Sequence, residues 1–197
     1  MTTTTTTEPE RQLRADARRN RERILEAASA ALAECGVDAQ IDDIARRAGV
    51  GVGTVYRHFP TKEALLVELV RRKFRVFADH AREALEQEGD PFEILAGVMR
   101  RNAATAAGDV AMQHALGGVG EYMLVQAETE QRELLALTEQ MLDRARDGGR
   151  LRRDIQPADI GMLMCGVCST MAHAGPGFDW KRHLELAIDA LRAAPQG

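Results

Sequence analysis

Apolar residues recur every three or four positions along most of this chain, a spacing typical of amphipathic helices. The stripes predict helices over about 17–35, 41–48, 51–58, 62–84, 91–102, 129–146, 157–172 and 180–193. The two-residue alternation of β-branched and aromatic residues that indicates strands is missing from the sequence. The chain is therefore predicted to be all-α.

Local signals set several of the helix boundaries. Gly49 follows the stripe of 41–48, and glycine fits the left-handed backbone position at a helix C-terminus. Asp90 and Pro91 supply an N-cap and a first helical residue. Gly108 is expected to end the helix that they begin. Between 109 and 126 three glycines interrupt the pattern, so a short helix and a break are expected there.

The most informative stretch runs from Ile41 to Lys62, where two short helices flank a tight turn. In the second helix, Val55 and Phe59 are expected to face the core. The residues left exposed are Val52, Gly53, Thr54, Tyr56, Arg57 and His58. Two helices joined by a short glycine-containing turn form the motif that places its second helix in the DNA major groove. A generic hairpin of two helices is the alternative interpretation.

The run V-G-V-G-T-V-Y-R-H-F-P-T-K-E-A-L-L, which begins at Val50, resembles the helix-turn-helix of the TetR family of bacterial transcriptional regulators. The resemblance extends over roughly 21–70. The DNA-binding residues it implies are Arg46, Gly51, Val52, Gly53, Thr54, Tyr56, Arg57, His58 and Lys62. Tyr56 and Lys62 are implied to hold phosphates, whereas Val52, Thr54 and Arg57 are expected to meet base edges.

These features divide the chain into three predicted segments. They are a disordered N-terminal tail over 1–16, a three-helix DNA-binding domain over 17–62, and a helical effector-binding and dimerisation domain over 63–197. The tail opens with a threonine run that has nothing to bury. TetR-like proteins commonly dimerise through a four-helix bundle, and the helices at 157–172 and 180–193 have wide apolar faces that suit one. The predicted interface residues are Ile160, Leu163, Val167, Leu184, Ile188 and Leu191.

The formal net charge of −4, taken alone, argues against nucleic acid as a partner. The charge is uneven, however, since residues 1–62 carry a net +1 and the remainder −5. Six positive residues precede the first apolar stripe: Arg11, Arg14, Arg18, Arg19, Arg21 and Arg23. They could contact phosphates, and a solvated charged segment is the equal alternative.

Two exclusions follow from the residues. No apolar stretch approaches the roughly 20 residues that cross a bilayer, and the N-terminus is threonine-rich, so a cytoplasmic protein without a membrane partner is expected. No nucleophile or acid-base motif is found, so an enzyme and a cofactor are not expected. Cys165 and Cys168, with His173 beyond them, are three potential ligands where a structural zinc site needs four, so we interpret the cysteines as buried, reduced core residues. Metal binding or redox sensing is the alternative.

Methionines are spread through the C-terminal helices and favour either an adaptable pocket or an ordinary core. The family resemblance implies a small apolar or amphipathic effector. The candidate ligand-binding residues are Phe92, Met99, Asn102, Tyr122, Met123, Met164 and Cys168.

The function predicted is a ligand-responsive repressor that binds a palindromic double-stranded DNA operator as a homodimer. The alternatives are a DNA-binding activator or architectural protein without an effector, and a helical-bundle ligand carrier.

Overall fold

A computed structural model of the chain describes residues 8–107, 109, 125–172 and 177–194. Eight α-helices lie in these ranges: α1 (Glu8–Cys35), α2 (Ile41–Ala48), α3 (Val52–His58), α4 (Lys62–Leu85), α5 (Pro91–Ala106), α6 (Glu128–Asp147), α7 (Pro157–Ala172) and α8 (Trp180–Ala190). Within the described ranges there is no strand beyond an isolated bridge between Leu151 and Arg192. The all-α prediction is confirmed.

The chain forms two compact units, Met1–Leu66 and Val67–Gly197. The division falls inside α4, slightly later than the boundary predicted after Lys62. Helix α4 therefore begins in the first unit and continues in the second.

The prediction of a disordered tail through residue 16 is wrong for residues 8–16, because α1 already begins at Glu8. This part of α1 has no apolar stripe, so its helix cannot be predicted from periodicity. Its residues are nevertheless mostly strong helix formers, and Pro9 lies in the first turn, where proline is tolerated. An ion pair between Asp16 and Arg19 adds support one turn further on. Residues 1–7 lie outside the described residues.

The first unit is held together by a small apolar core. Its fully buried members come from α1, α2 and α3 and include Ile24, Leu25, Ala28, Leu32, Ile44, Ala45 and Val55. Phe59, directly after α3, is also buried. The prediction that Val55 and Phe59 face inward is confirmed.

The second unit has the larger core, to which α4, α5, α6, α7 and α8 all contribute. Helix α5 begins as predicted, because the Asp90 carboxylate accepts hydrogen bonds from the backbone N–H groups of Phe92 and Glu93, at 2.9 and 3.4 Å. The apolar stripe was followed to Asn102, and the helix continues to Ala106, two residues before the glycine expected to end it. Gly108 and the short helix expected near 109–126 lie outside the described residues, apart from Asp109, Val125 and Gln126.

The predicted dimer-interface residues need a correction. Five of the six are buried in the core of a single chain: Ile160, Val167, Leu184, Ile188 and Leu191. Their apolar stripes are satisfied by α5 and by each other, so these side chains are not available to a second copy. Leu163 is half-buried against the same core. The large apolar side chains that α7 and α8 do expose are Met162 and Leu186, at 65% and 50% exposure.

No helix in the described residues combines the length and the apolar character needed to cross a bilayer.

Candidate DNA-binding interface and ligand cavity

The turn between α2 and α3 is built around Gly49. Its φ of 63° lies in the left-handed region, and its N–H donates to the carbonyl groups of Ala45 and Arg46. The N–H of Val50 donates to the Ala45 carbonyl at 3.0 Å, which ends α2 in the predicted manner. Helix α3 then begins at Val52 with Gly51 as its N-cap. This geometry joins two short helices by only three residues.

Helix α3 is anchored by one face and presents the other. Val55 is fully buried, whereas Tyr56 is 48% exposed and Arg57 is exposed. In the part of the chain that the structure describes, neither Tyr56 nor Arg57 has a side-chain partner. Both are therefore available to an external ligand. Gly53 is also exposed, as predicted, and so is Gly51.

The prediction of a fully bare helix face was too broad. Val52, Thr54 and His58 are half-buried, because a seven-residue helix packed on one side leaves only a narrow face clear. Lys62, at the start of α4, is also half-buried. Arg46 is exposed on α2 and lies 2.6 Å from the Asp43 carboxylate.

Nothing in the packing of the first unit requires a glycine at Gly51, the N-cap of α3, or at Gly53, inside α3. A Cβ atom built on Gly51 or Gly53 meets nothing within 4 Å. Glycine inside a helix costs roughly 0.5–1 kcal/mol relative to alanine, so its use at Gly53 is unfavourable for folding alone. Such a position suits the close approach of another molecule to the helix backbone.

Helix α1 extends the positive surface of this unit. Arg11, Arg14, Arg18 and Arg21 follow one another at intervals of three or four residues, so they share one side of α1. The guanidinium of Arg21 lies over the ring of Phe59, 5.1 Å from its centroid. Arg23 donates to the carbonyl oxygen of Gly49 at 3.4 Å. Helix α1 therefore contacts both the turn, at Gly49, and the residue directly after α3, Phe59.

A cavity of about 490 Å³ lies in the second unit among α4, α5, α6 and α7. Its described walls are mainly apolar and consist of Phe74, Phe77, Asn102, Ala106, Gln131, Leu134, Leu135, Thr138, Pro157, Ala158, Ile160, Gly161, Met162, Met164, Cys165 and Cys168. This volume falls within the range of roughly 300–1,000 Å³ found for small-molecule sites.

Of the seven predicted ligand-binding residues, the structure places Asn102, Met164 and Cys168 on the cavity wall. The prediction that Phe92 and Met99 line the cavity is wrong. They are almost fully buried in the core and are not among the lining residues. The guanidinium of Arg192 covers the ring of Phe92 at 4.3 Å from its centroid. Tyr122 and Met123 lie outside the described residues.

Sequence reasoning missed Gln131 and Thr138 as lining residues. Thr138 was part of the apolar stripe of α6, and a polar residue within such a stripe was the available signal. Its hydroxyl donates to the Leu134 carbonyl at 2.8 Å. That hydrogen bond gives the Thr138 hydroxyl proton an acceptor inside an otherwise apolar wall.

Of the two cysteines of α7, Cys168 is buried and Cys165 is half-buried. Burial raises the pKa of Cys165, and it raises the pKa of Cys168 to about 11, so both are neutral near pH 7. Within the described ranges, no three His, Cys, Asp or Glu side chains come together as a possible metal site. His173 lies outside these ranges, and the structural interpretation of the Cys pair stays a prediction.

Comparison with known proteins gives two matches that together cover most of the chain. Residues 24–69 match the family described as bacterial regulatory proteins, tetR family. Residues 90–193 match the family described as transcriptional regulator SbtR-like, C-terminal domain.

Solved structures show the same fold. A TetR transcription regulatory protein from Mycobacterium vanbaalenii is 40% identical with a TM-score of 0.64, and the match covers 92% of this chain and 99% of that one. SmeT, the repressor of the Stenotrophomonas maltophilia multidrug efflux pump SmeDEF, is 30% identical with a TM-score of 0.65, covering 89% and 91%.

A curated relative matches over a shorter region. The fatty acid metabolism regulator protein of Bacillus subtilis is 33% identical over 111 residues, which are 56% of this chain and 55% of that protein. The chain spans about half the length of the curated relatives it matches.

Proposed function

The chain belongs to the TetR family of bacterial regulatory proteins, which are transcription regulators, and we propose that it is a repressor released from its DNA by a small molecule. It binds a palindromic operator as a homodimer. Each α3 enters the major groove of one half-site. The half-sites lie about one helical turn, roughly 34–36 Å, or a multiple of it, apart.

The observation that carries this proposal is the exposed side of α3. Tyr56 and Arg57 project from a short, well-anchored helix without a partner among the described residues, beside two glycines that leave the backbone open. Arg57 suits a bidentate contact with guanine, whereas Tyr56 and Lys62 suit backbone phosphates. Phosphate contacts position a protein on DNA, and base contacts give sequence preference.

The cavity supports the effector part of the proposal. Helix α4 begins with Lys62 in the first unit and contributes Phe74 and Phe77 to the cavity wall in the second. A molecule bound against these rings can therefore act on the helix that carries the phosphate-binding lysine. Such coupling must be reciprocal, so the operator weakens ligand binding by the same factor, typically 5–150-fold in allosteric proteins.

The homodimer remains part of the proposal, with a revised surface. We assign it to the sides of α7 and α8 that stay exposed in one chain, marked by Met162 and Leu186. Two such helices from each copy would form a four-helix bundle.

The proposal is tested by footprinting the purified protein on the DNA next to its own gene. We expect one protected inverted repeat, and a lower affinity for it when an effector is added. Protection that no ligand of the cavity relieves would favour the architectural alternative. Absence of any protected site would favour the ligand carrier.

A further inference from the structure

The polar groups of the cavity restrict the chemistry of its ligand. None of the described lining side chains is a carboxylate, a guanidinium, an ammonium group or an imidazole. Every Lys and Arg of the chain lies in the described ranges, so neither a lysine nor an arginine contributes to the wall. Among the described lining residues, a ligand with a buried negative charge would have no positively charged partner, and an unpaired buried charge is strongly disfavoured.

The lysine that precedes Phe74 of the cavity wall is already paired. The ammonium of Lys73 on α4 lies 2.8 Å from the Asp109 carboxylate and donates to the Thr105 carbonyl at 3.2 Å. The raised pKa values of Cys165 and Cys168 agree with an environment that disfavours charge.

One amide in the wall has a fixed orientation. The side-chain oxygen of Asn102 lies 2.7 Å from Nδ1 of His80. An amide oxygen can only accept, so Nδ1 of His80 carries the proton and donates. His80 is itself 8% exposed and held on α4. Among the described residues, the Nδ2 amino group of Asn102 has no partner, so Asn102 offers the cavity donors rather than an acceptor.

The hydroxyl of Thr138, unlike the Asn102 amide, can only accept a hydrogen bond from a ligand. Because its proton is used by the Leu134 carbonyl, it offers the cavity only lone pairs. The donor with the fixed orientation is therefore the Asn102 amide.

On the basis of the proposed function, we propose that the effector is an uncharged molecule with an apolar body and one hydrogen-bond-accepting oxygen, which Asn102 binds. The class includes ketones, lactones, esters and quinones. His80 is a positioning residue, since it holds the amide with its donors toward the ligand. The apolar body lies against Phe74, Phe77 and the side chains of α7.

The test uses four naphthalene probes of similar shape and one larger anion. Dissociation constants are measured by calorimetry for 2-acetylnaphthalene, 2-ethylnaphthalene, 2-naphthoate and 2-naphthylmethylammonium, with decanoyl-CoA as a larger anion. We expect the ketone to bind about 3–10-fold more tightly than the ethyl analogue, since that is the usual worth of one neutral hydrogen bond. Neither charged analogue nor the CoA thioester should bind as tightly as the ketone.

Variants assign the effect to the amide. Asn102→Leu should bring the ratio of ketone to ethyl affinity close to one while leaving the ethyl analogue bound. His80→Phe should reduce the ratio, because the amide is no longer held. Gln140→Leu, at an exposed residue of α6 outside the cavity, should leave it unchanged. In wild-type protein the carbonyl stretch of the bound ketone should shift to lower frequency, a readout that needs no variant.

Three results would overturn this inference: equal affinity for ketone and ethyl analogue with an unshifted carbonyl band, tighter binding of any charged probe, or no binding of the ketone up to its solubility limit. Operator binding is measured on the same preparations. If the ketone binds as expected and the operator affinity does not change, the ligand class stands and release by an effector is refuted. The reverse pattern, with operator binding intact and no probe bound, refutes the ligand class alone.

Discussion

Both terminal nitrogens of Arg47 donate to the carboxylate of Glu34, at 2.8 and 2.5 Å, and so tie α2 to the end of α1. The two bonds form the bidentate geometry that is strongest for an arginine and a carboxylate. They hold the first unit together at its surface, next to the core that supports α3.

The first prediction concerns acid stability. Hydrogen bonds from Arg47 and its charge lower the pKa of Glu34 below its usual value. This pair therefore stabilises the fold above the ordinary glutamate pKa, and its contribution is lost as the pH falls through the lower, folded-state pKa. Glu34→Gln should destabilise the protein at neutral pH and lose its difference from wild type in acid. Urea denaturation across that pH range measures the difference.

The control is Glu26→Gln, which removes an exposed carboxylate of α1 with no partner among the described residues. For Glu26→Gln, the difference in stability from wild type should not change with pH in the way expected for Glu34→Gln. A Glu34→Gln difference that persists unchanged in acid would show that the ion pair contributes nothing to stability.

The second prediction concerns the turn. Gly49 has a φ of 63°, and a Cβ there would lie 2.5 Å from Nη2 of Arg23, the mobile end of a long side chain. Since that end can move aside, we expect Gly49→Ala to cost mainly the backbone strain of about 1–2 kcal/mol. Gly36→Ala is the matched control, with a φ of 65° and nothing within 4 Å. Chemical denaturation should give similar losses for both.

Gly49→Ala should nevertheless displace Arg23 and weaken DNA binding, whereas Gly36→Ala should not. A much larger stability loss at Gly49, persisting in an Arg23→Ala background, would contradict the view that the guanidinium can move aside.

The third prediction concerns the arginine side of α1. If Arg11 and Arg14 contact phosphates, replacing both with alanine should weaken binding to all sequences alike. The slope of log affinity against log salt should fall by about 2, roughly one for each contact. Fluorescence anisotropy over a salt series measures it. Arg132→Ala with Arg153→Ala, at two exposed sites in the second unit, makes the same change in net charge and should leave the slope unaltered.

The fourth prediction concerns the dimer. Leu186→Glu should give a folded monomer, because it places a charge on the exposed side of α8. Leu184→Glu should instead destabilise the fold, since Leu184 is 3% exposed and a carboxylate there is buried without a partner. Sedimentation and circular dichroism distinguish the two. Val125→Glu, at a 62% exposed residue outside α7 and α8, should stay dimeric. A dimeric Leu186→Glu would show that α8 is not the interface.

The sequence predicted those features of the fold that local chemistry determines. Gly49 marked the end of α2, Val55 and Phe59 marked the buried side of α3, and Asp90 capped α5. Each depends on one residue type in one backbone position. The beginning of α1 was missed because its first turns have no apolar stripe, although their helix propensity is high.

The errors at the cavity and the dimer interface have a common physical cause. An apolar stripe shows which side of a helix avoids water, but not whether it meets the core, a cavity or a second copy. Phe92 and Leu184 lie on such stripes and both ended in the core. Asn102 was identified from the side of its helix that it shares with Met99, and the structure gives it His80 as a partner.

The most direct measurement is selection of bound duplexes from random-sequence DNA by the full-length protein, followed by sequencing, for wild type and Arg57→Ala. We predict that wild type enriches one inverted repeat. Arg57→Ala should bind with relaxed preference at the positions that the arginine contacts, by roughly 1–3 kcal/mol of lost discrimination. Enrichment of no sequence by wild type, or an identical repeat selected by Arg57→Ala, would contradict sequence recognition by α3.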